Sequence, residues 1–158
     1  MNNPYLAILF WFHLMGISIW VGGSILLPLV IAPALEALDP AARGKFMEAW
    51  SRKYTPWVAI AILVVVVTGI LQTGRMFGFA YLLGVNVLVI KIIVAVLMIA
   101  NGFYAGIVLS RKVMALAPKG TPPSPEFLKA QRLLAMHSWI QAGLSVIVLL
   151  LAGLLTAG

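Results

Sequence analysis

Four long apolar runs dominate this chain of 158 residues. They cover residues 6–28, 57–73, 82–109 and 133–155. A helix needs about 20 apolar residues to cross the hydrocarbon core of a bilayer, and each run has a length of that order. Transmembrane β-strands would show segments of about ten residues with alternating polarity, whereas these runs are continuous. The sequence therefore predicts an all-α integral membrane protein, with residues 1–158 forming a single transmembrane domain.

The net charge of +7 is concentrated in two connecting segments. The basic residues between the first and second runs, and between the third and fourth, are Arg43, Lys45, Arg52, Lys53, Arg111, Lys112, Lys119, Lys129 and Arg132. By the positive-inside rule both segments are cytoplasmic and both termini lie outside. We therefore expect an antiparallel four-transmembrane-helix bundle in a prokaryotic plasma membrane, with the lipid bilayer rather than nucleic acid facing the basic loops. Association into a homo-oligomer is left open.

Local signals predict where some helices begin and end. Asp39 followed by Pro40 is typical of a helix start, because the side chain caps free N–H groups and proline suits the first turn. This helix is expected to continue into the second span with a break near Pro56, and the first span is expected to end softly near Pro28. Residues 124–126 (SPE) predict a helix that continues into the fourth span.

The chain has two histidines, His13 and His137, and each lies inside or at the edge of an apolar run. Ionisable side chains in a membrane usually face the protein interior or bind something there. The helical rise places His13 about 14 Å from the outer end of its span and His137 about 7 Å from the opposite surface. We interpret the pair as metal ligands of a single haem b, whose iron takes axial imidazoles from facing helices. The alternative, hydrogen bonding within the bundle alone, stays open.

Lys91 lies about 15 Å into the third span, level with His13. An ammonium group at that depth costs about 2.5 to 3.5 kcal/mol, which favours a functional role. Lys91 is therefore a candidate catalytic residue, a propionate contact, or the second axial ligand. Depth favours Lys91 for that ligand, but chemistry favours His137, because imidazole is neutral near pH 7. Arg75, at the outer end of the second span, is a candidate propionate partner or an interfacial anchor.

Three neighbours of the histidines are also candidates for cofactor binding. Gly16 and Trp20 follow His13 at helical spacing, and a small residue on such a face admits either a flat ligand or a neighbouring helix. Gln141 follows His137 by one turn and continues a polar stripe to Ser145. Such a stripe either orients a ligating imidazole or hydrogen-bonds between helices.

The string HLMGISIWVGG at residues 13–23 resembles the opening helix of the copper resistance D (CopD) and HemJ superfamily. Further similar positions are FME at residues 46–48, YTP at residues 54–56, Thr68 with Gly69, and Lys91. The resemblance covers roughly residues 6 to 110. Similarity to HemJ-type proteins implies bound haem b and an oxidoreductase of the protoporphyrinogen oxidase kind, with functional roles for His13 and Lys91.

Where that family tends to carry Asn-Glu-Pro in its last helix, this chain has residues 135–137 (AMH), which suits a second haem ligand. Three hypotheses for function follow. The first is a membrane-embedded b-type haem protein for electron transfer or porphyrin redox chemistry, exchanging electrons with quinone or a redox protein. The second is a CopD-type transporter of copper or another small solute. The third is a structural membrane subunit without a cofactor. Whether the protein is an enzyme is left open.

Overall fold

A computed structural model describes residues 3–118 and 122–157 of the chain. Within these residues there is no β-strand, and four helices are long and apolar enough to cross a membrane. They are α1 (Pro4–Ala37), α2 (Pro40–Met76), α3 (Val87–Ala115) and α4 (Pro125–Thr156). The prediction of an all-α, multi-pass membrane protein with four transmembrane helices is confirmed.

Helix α1 extends further than its apolar run. Asn3 caps its start, because the side-chain Oδ1 accepts a hydrogen bond from Tyr5 N at 3.1 Å. The helix does not end at Pro28 as expected, because a π-helical turn over Leu27–Ile31 accommodates this residue and helical structure continues to Ala37. Proline has no backbone N–H group to donate, and a wider turn tolerates this loss.

Helix α2 begins where the sequence predicts. The Asp39 carboxylate accepts hydrogen bonds from the backbone N–H groups of Ala41 and Ala42 at 3.0 and 2.9 Å, with Pro40 as the first helical residue. The predicted break near Pro56 is wrong, because the helix passes through this proline without interruption. Pro56 is exposed on the helix surface, where its ring displaces no packed neighbour. The 37 residues of α2 span about 56 Å, which exceeds the thickness of the hydrocarbon core.

Helix α3 begins at Val87 rather than at Leu82. The apolar residues Phe79–Leu83 form a 3-10 turn instead, which follows Gly78 at a positive φ of 72°. Asn86 then starts the helix, because its Oδ1 accepts a hydrogen bond from Val89 N at 3.0 Å. Hydropathy alone does not separate an apolar turn from an apolar helix, so the predicted start of α3 at Leu82 is too early.

The end of α3 differs from the prediction, whereas the start of α4 agrees with it. Helix α3 continues past the predicted end at Leu109 to Ala115, with a π-helical segment over Tyr104–Leu109. Helix α4 runs without interruption from Pro125, and its first turn is capped by the Ser124 hydroxyl, which accepts from Phe127 N at 3.1 Å. Residues 119–121 of the predicted loop lie outside the described residues.

The chain divides into two compact units, one ending at Ile90 and the other beginning at Lys91. In the N-terminal unit α1 packs against α2, and in the C-terminal unit the π-helical segment of α3 packs against α4. Large apolar side chains such as Trp57 and Leu63 are exposed, which suits helices whose outer surface is covered by lipid. The single-domain assignment stays a prediction.

Candidate functional site

His13 joins the two helices of the N-terminal unit. Its Nδ1 lies 2.8 Å from the hydroxyl oxygen of Thr68 on α2. The same hydroxyl lies 2.6 Å from the backbone carbonyl of Val64, one turn earlier in α2. Thr68 is buried, so this contact lies inside the pair of helices. A polar link of this kind is what membrane helices use to associate.

The two contacts of Thr68 determine which nitrogen of His13 carries the proton. A hydroxyl has one hydrogen to donate, and the Val64 carbonyl can only accept it. The hydroxyl oxygen must therefore accept from His13, so the Nδ1–H group donates. In the neutral imidazole the lone pair is then on Nε2.

Small residues on α1 allow this close approach. A Cβ atom on Gly16 would lie 2.7 Å from Val65 Cγ2 and 3.0 Å from the Ala61 carbonyl, so α2 covers this residue directly. Gly23 makes room for Tyr54, whose hydroxyl donates to the Ile19 carbonyl at 2.6 Å. Gly16 was expected to make room for either a flat ligand or a neighbouring helix, and in the structure α2 packs against it.

Further contacts surround the His13 ring in the same unit. Gln72, one turn after Thr68, donates from Nε2 to the Leu9 carbonyl at 3.2 Å, and Leu9 lies one turn before His13. A Cβ atom on Gly69 would lie 3.5 Å from His13 Cε1, in ordinary van der Waals contact. The His13 ring thus lies against Thr68 and Gly69, while Gln72 links α2 to α1 one turn away.

His137 forms a second network in the C-terminal unit. Its Nδ1 lies 2.6 Å from Asn101 Oδ1 on α3. The amide nitrogen of Asn101 donates to the His137 backbone carbonyl at 3.1 Å and to Gln141 Oε1 at 2.8 Å. Gln141 is buried, and the ring of Tyr104 packs edge-on against His137 with centroids 5.1 Å apart.

This network fixes the tautomer of His137 in the same way. Both donors of the Asn101 amide nitrogen have acceptors, so its Oδ1 faces the imidazole. A carbonyl oxygen only accepts, and therefore the Nδ1–H of His137 donates. The lone pair of the neutral ring is again on Nε2. The two imidazoles, far apart in sequence, thus share one feature: the Nδ1–H group of each donates to a neutral oxygen on a neighbouring helix.

The polar stripe of α4 continues into the protein interior. Ser145, one turn after Gln141, is completely buried. Its hydroxyl oxygen has no hydrogen-bond partner within residues 3–118 and 122–157. Buried polar atoms in a membrane are expensive, and they are rarely left without a partner.

The other predicted site residues divide between the two units. Trp20 is buried on α1, and Arg75 lies near the end of α2, where its guanidinium stands 5.1 Å from the centroid of the Tyr5 ring. That contact is a cation–π interaction. Lys91, the first residue of the C-terminal unit, is half-buried in the second turn of α3. The predicted depth of about 15 Å is wrong, because α3 begins at Val87 and Lys91 lies only about 6 Å along it.

No group of three or more His, Cys, Asp or Glu side chains is placed to share a metal ion in the described part of the chain. The donor nitrogens found are single imidazoles, one in each unit.

Asn101 is a site residue that the sequence analysis does not single out, since nothing in the sequence pairs it with His137, which lies 36 positions later. A usable signal was the polar stripe on α4, because a buried Gln141 requires a polar partner on a neighbouring helix. Thr68 enters the sequence analysis only through the family resemblance, and its bond to His13 is not predicted there.

Comparison of the chain with family models, with curated proteins and with solved structures found no match. The fold and the hydrogen bonds define the chain as a four-helix membrane protein in which two imidazoles are each hydrogen-bonded to a neighbouring helix.

Proposed function

We propose that this protein is a membrane-embedded b-type haem protein that serves electron transfer or porphyrin redox chemistry. In this proposal His13 and His137 would both hold the iron of the haem. The observation that carries it is the matched arrangement of the two rings, each of which donates through Nδ1 to a fixed oxygen. In each neutral ring the lone pair is on Nε2, so a metal would be held through this nitrogen.

Anchoring of this kind is typical of metal-ligating histidines. Their other ring nitrogen usually donates to a carbonyl, carboxylate or water, which fixes the tautomer and the orientation of the ring. Thr68 would do this for His13, and Asn101 would do it for His137. A histidine that served only helix association would need one such bond, and either tautomer would suffice. Because both rings have the same tautomer, with the lone pair on Nε2, we favour ligation.

The donor set suits a haem better than a bare ion. A macrocycle supplies four nitrogen ligands itself, so one or two single imidazoles complete the coordination of its iron. When bound, the haem would supply a one-electron redox couple in the membrane. His13 and His137 would hold the iron through Nε2, while Thr68 and Asn101 would keep the rings oriented. Both oxygens are neutral, so they raise the basicity of the rings less than a carboxylate would.

Lys91 and Arg75 are proposed as partners of the propionate groups. Both are cationic, and cations that face carboxylates form strong charge-assisted hydrogen bonds. Lys91 is also the alternative second ligand. As a proposed proton carrier it is the residue through which oxidase chemistry, implied by the resemblance to HemJ-type proteins, would run. We place the protein in a prokaryotic plasma membrane, with cytoplasmic basic loops and with quinone or a redox protein as electron partner.

The test is the visible spectrum of the purified protein after expression with an ample haem supply. We expect a Soret band that shifts on reduction. His13→Ala and His137→Ala should each abolish or shift it, while Met15→Leu and Met136→Leu should not. These control residues lie close to each histidine in sequence and have exposed side chains.

A colourless preparation, or a Soret band unchanged in both histidine variants, would overturn the proposal. In that case the imidazoles serve helix association, or a path for copper or another solute, which uptake into vesicles would show. If only His137→Ala leaves the band intact, Lys91→Met should remove it.

A further inference from the structure

A crevice at the basic end of the C-terminal unit lies between the last turns of α3 and the first turns of α4. It combines charged and apolar residues, namely Lys112, Leu116, Glu126, Lys129, Ala130 and Leu133. Both lysines are exposed, and the floor is apolar because Ala130 is buried and Leu133 is half-buried. The crevice therefore offers cations at its mouth and hydrocarbon below.

A second depression continues it along the neighbouring face of α4. Its lining residues are Pro125, Leu128, Lys129, Arg132, Leu133 and Met136. Lys129 and Leu133 line both depressions, so they form one continuous surface. Three cations surround this surface, and Glu126 is the one carboxylate among its lining residues.

The position of the cations along the helices corresponds to the membrane surface. Helix α4 begins at Pro125, and from Leu133 onward its sequence contains no Lys, Arg, Asp or Glu. Lys129 and Arg132 fall in the turns directly before that stretch. Lys112 lies in the last turns of α3, whose helical structure ends at Ala115. Phosphate groups of lipids occupy this level, and basic pockets between transmembrane helices bind anionic headgroups.

We infer that this surface is a binding site for one anionic phospholipid. Lys112, Lys129 and Arg132 would contact the phosphate, and the acyl chains would lie along Leu133 and Met136. The arrangement of charge above an apolar floor matches a lipid, whereas a soluble anion would use only the cations. The inference is independent of haem binding, because the site shares no residue with either histidine network.

The experiment measures binding of phosphatidylglycerol to the full-length protein in detergent by native mass spectrometry, together with the shift in Tm. Phosphatidylcholine with the same acyl chains is the matched neutral lipid, and sodium phosphate tests the headgroup anion alone. We expect phosphatidylglycerol to bind and to raise the Tm, with little effect of the other two.

Removing cations should weaken the site in steps. A basic residue near the surface contributes a factor of roughly five in affinity, so Lys129→Gln should bind about five-fold more weakly and Lys129→Arg should bind normally. The triple variant K112Q/K129Q/R132Q should lose binding. The control K45Q/R52Q/K53Q removes the same charges from exposed residues of α2 and should keep it.

Three results would overturn the inference. They are equal binding of phosphatidylcholine, an equal Tm shift with sodium phosphate, and an equal loss of binding in the control triple variant. Should the triple variant fail to fold, the comparison of Lys129→Gln with Lys129→Arg decides the matter alone.

Discussion

At the scale of single residues, the notable feature is how two neutral side chains determine the chemistry of two histidines. Thr68 and Asn101 each present an oxygen that can only accept from the imidazole. Both histidines stand out in the sequence because the chain has no others, whereas Thr68 is noted only through the family resemblance. The tautomers were not predictable, because they depend on bonds to partners 55 and 36 positions away.

Thr68→Val should destabilise the N-terminal unit and disturb His13. Valine has a similar shape but no oxygen, so the Nδ1–H group loses its acceptor inside the membrane. Interhelical hydrogen bonds in membranes contribute about 0.6 kcal/mol on average and up to about 1.7 kcal/mol, and the loss should fall in this range. Unfolding in a detergent titration measures it. Thr68→Ser keeps the hydroxyl, and equal destabilisation by both variants would contradict the role assigned to the oxygen.

Asn101→Leu should weaken haem retention through His137. The change removes three hydrogen bonds that fix the ring, the neighbouring carbonyl and Gln141. Loss of such orienting partners typically lowers metal affinity 10- to 100-fold. Haem content after dialysis against apomyoglobin reports the effect. Ser138→Ala is the control, because it removes only a bond to the Leu134 carbonyl on the same helix, and it should retain haem normally.

At the scale of elements, the helices were predictable and several of their ends were not. Long apolar runs leave the backbone no alternative to helix within a bilayer, and the cap at Asp39 was readable from its side chain and the following proline. The start of α3 was misplaced, because Phe79–Leu83 are as apolar as a span. The continuity of α2 through Pro56 was not predicted, because the sequence does not show whether a helix can continue past a proline at that position.

The contact of α1 with α2 gives a prediction that separates two adjacent glycines. A methyl group on Gly23 would meet the Tyr54 hydroxyl, whereas a Cβ atom on Gly22 would meet nothing within 4 Å. Gly23→Ala should therefore displace Tyr54 from the Ile19 carbonyl and cost about 1 to 3 kcal/mol, a typical penalty of overpacking. Thermal unfolding of the two variants in the same detergent provides the measurement.

Gly22→Ala serves as the control and should be neutral or slightly stabilising, because alanine favours helix. Equal effects of the two substitutions would show that α1 and α2 do not pack in the manner described.

At the scale of the whole molecule, charge distribution is the property from which orientation was predicted. Most basic residues lie in the first half of α2, in the last turns of α3 and in the first turns of α4, and Lys119 follows α3 in the sequence. The number of transmembrane helices followed directly from the sequence. The residues that surround each histidine could not be predicted, because the order of the helices does not give the rotation of one helix against the next.

The absence of cysteine from the chain makes orientation directly measurable. Single cysteines at Glu48 and at Ala80 lie in α2 near its basic end and in the turn between α2 and α3. In intact cells a membrane-impermeant thiol reagent should label Ala80→Cys and spare Glu48→Cys, because the positive-inside rule places the basic segment in the cytoplasm. The opposite labelling pattern would reverse the predicted topology.

The central claim is that the anchored imidazole of His13 binds the iron of a haem. The most direct measurement is the ratio of haem b to protein, determined by the pyridine haemochrome method for the wild type and for His13→Ala expressed with the same haem supply. The account predicts about one haem per chain in the wild type, as expected for a single site with axial histidine ligation, and a large loss in the variant. A wild type without haem, or a variant that keeps the full amount, would contradict it.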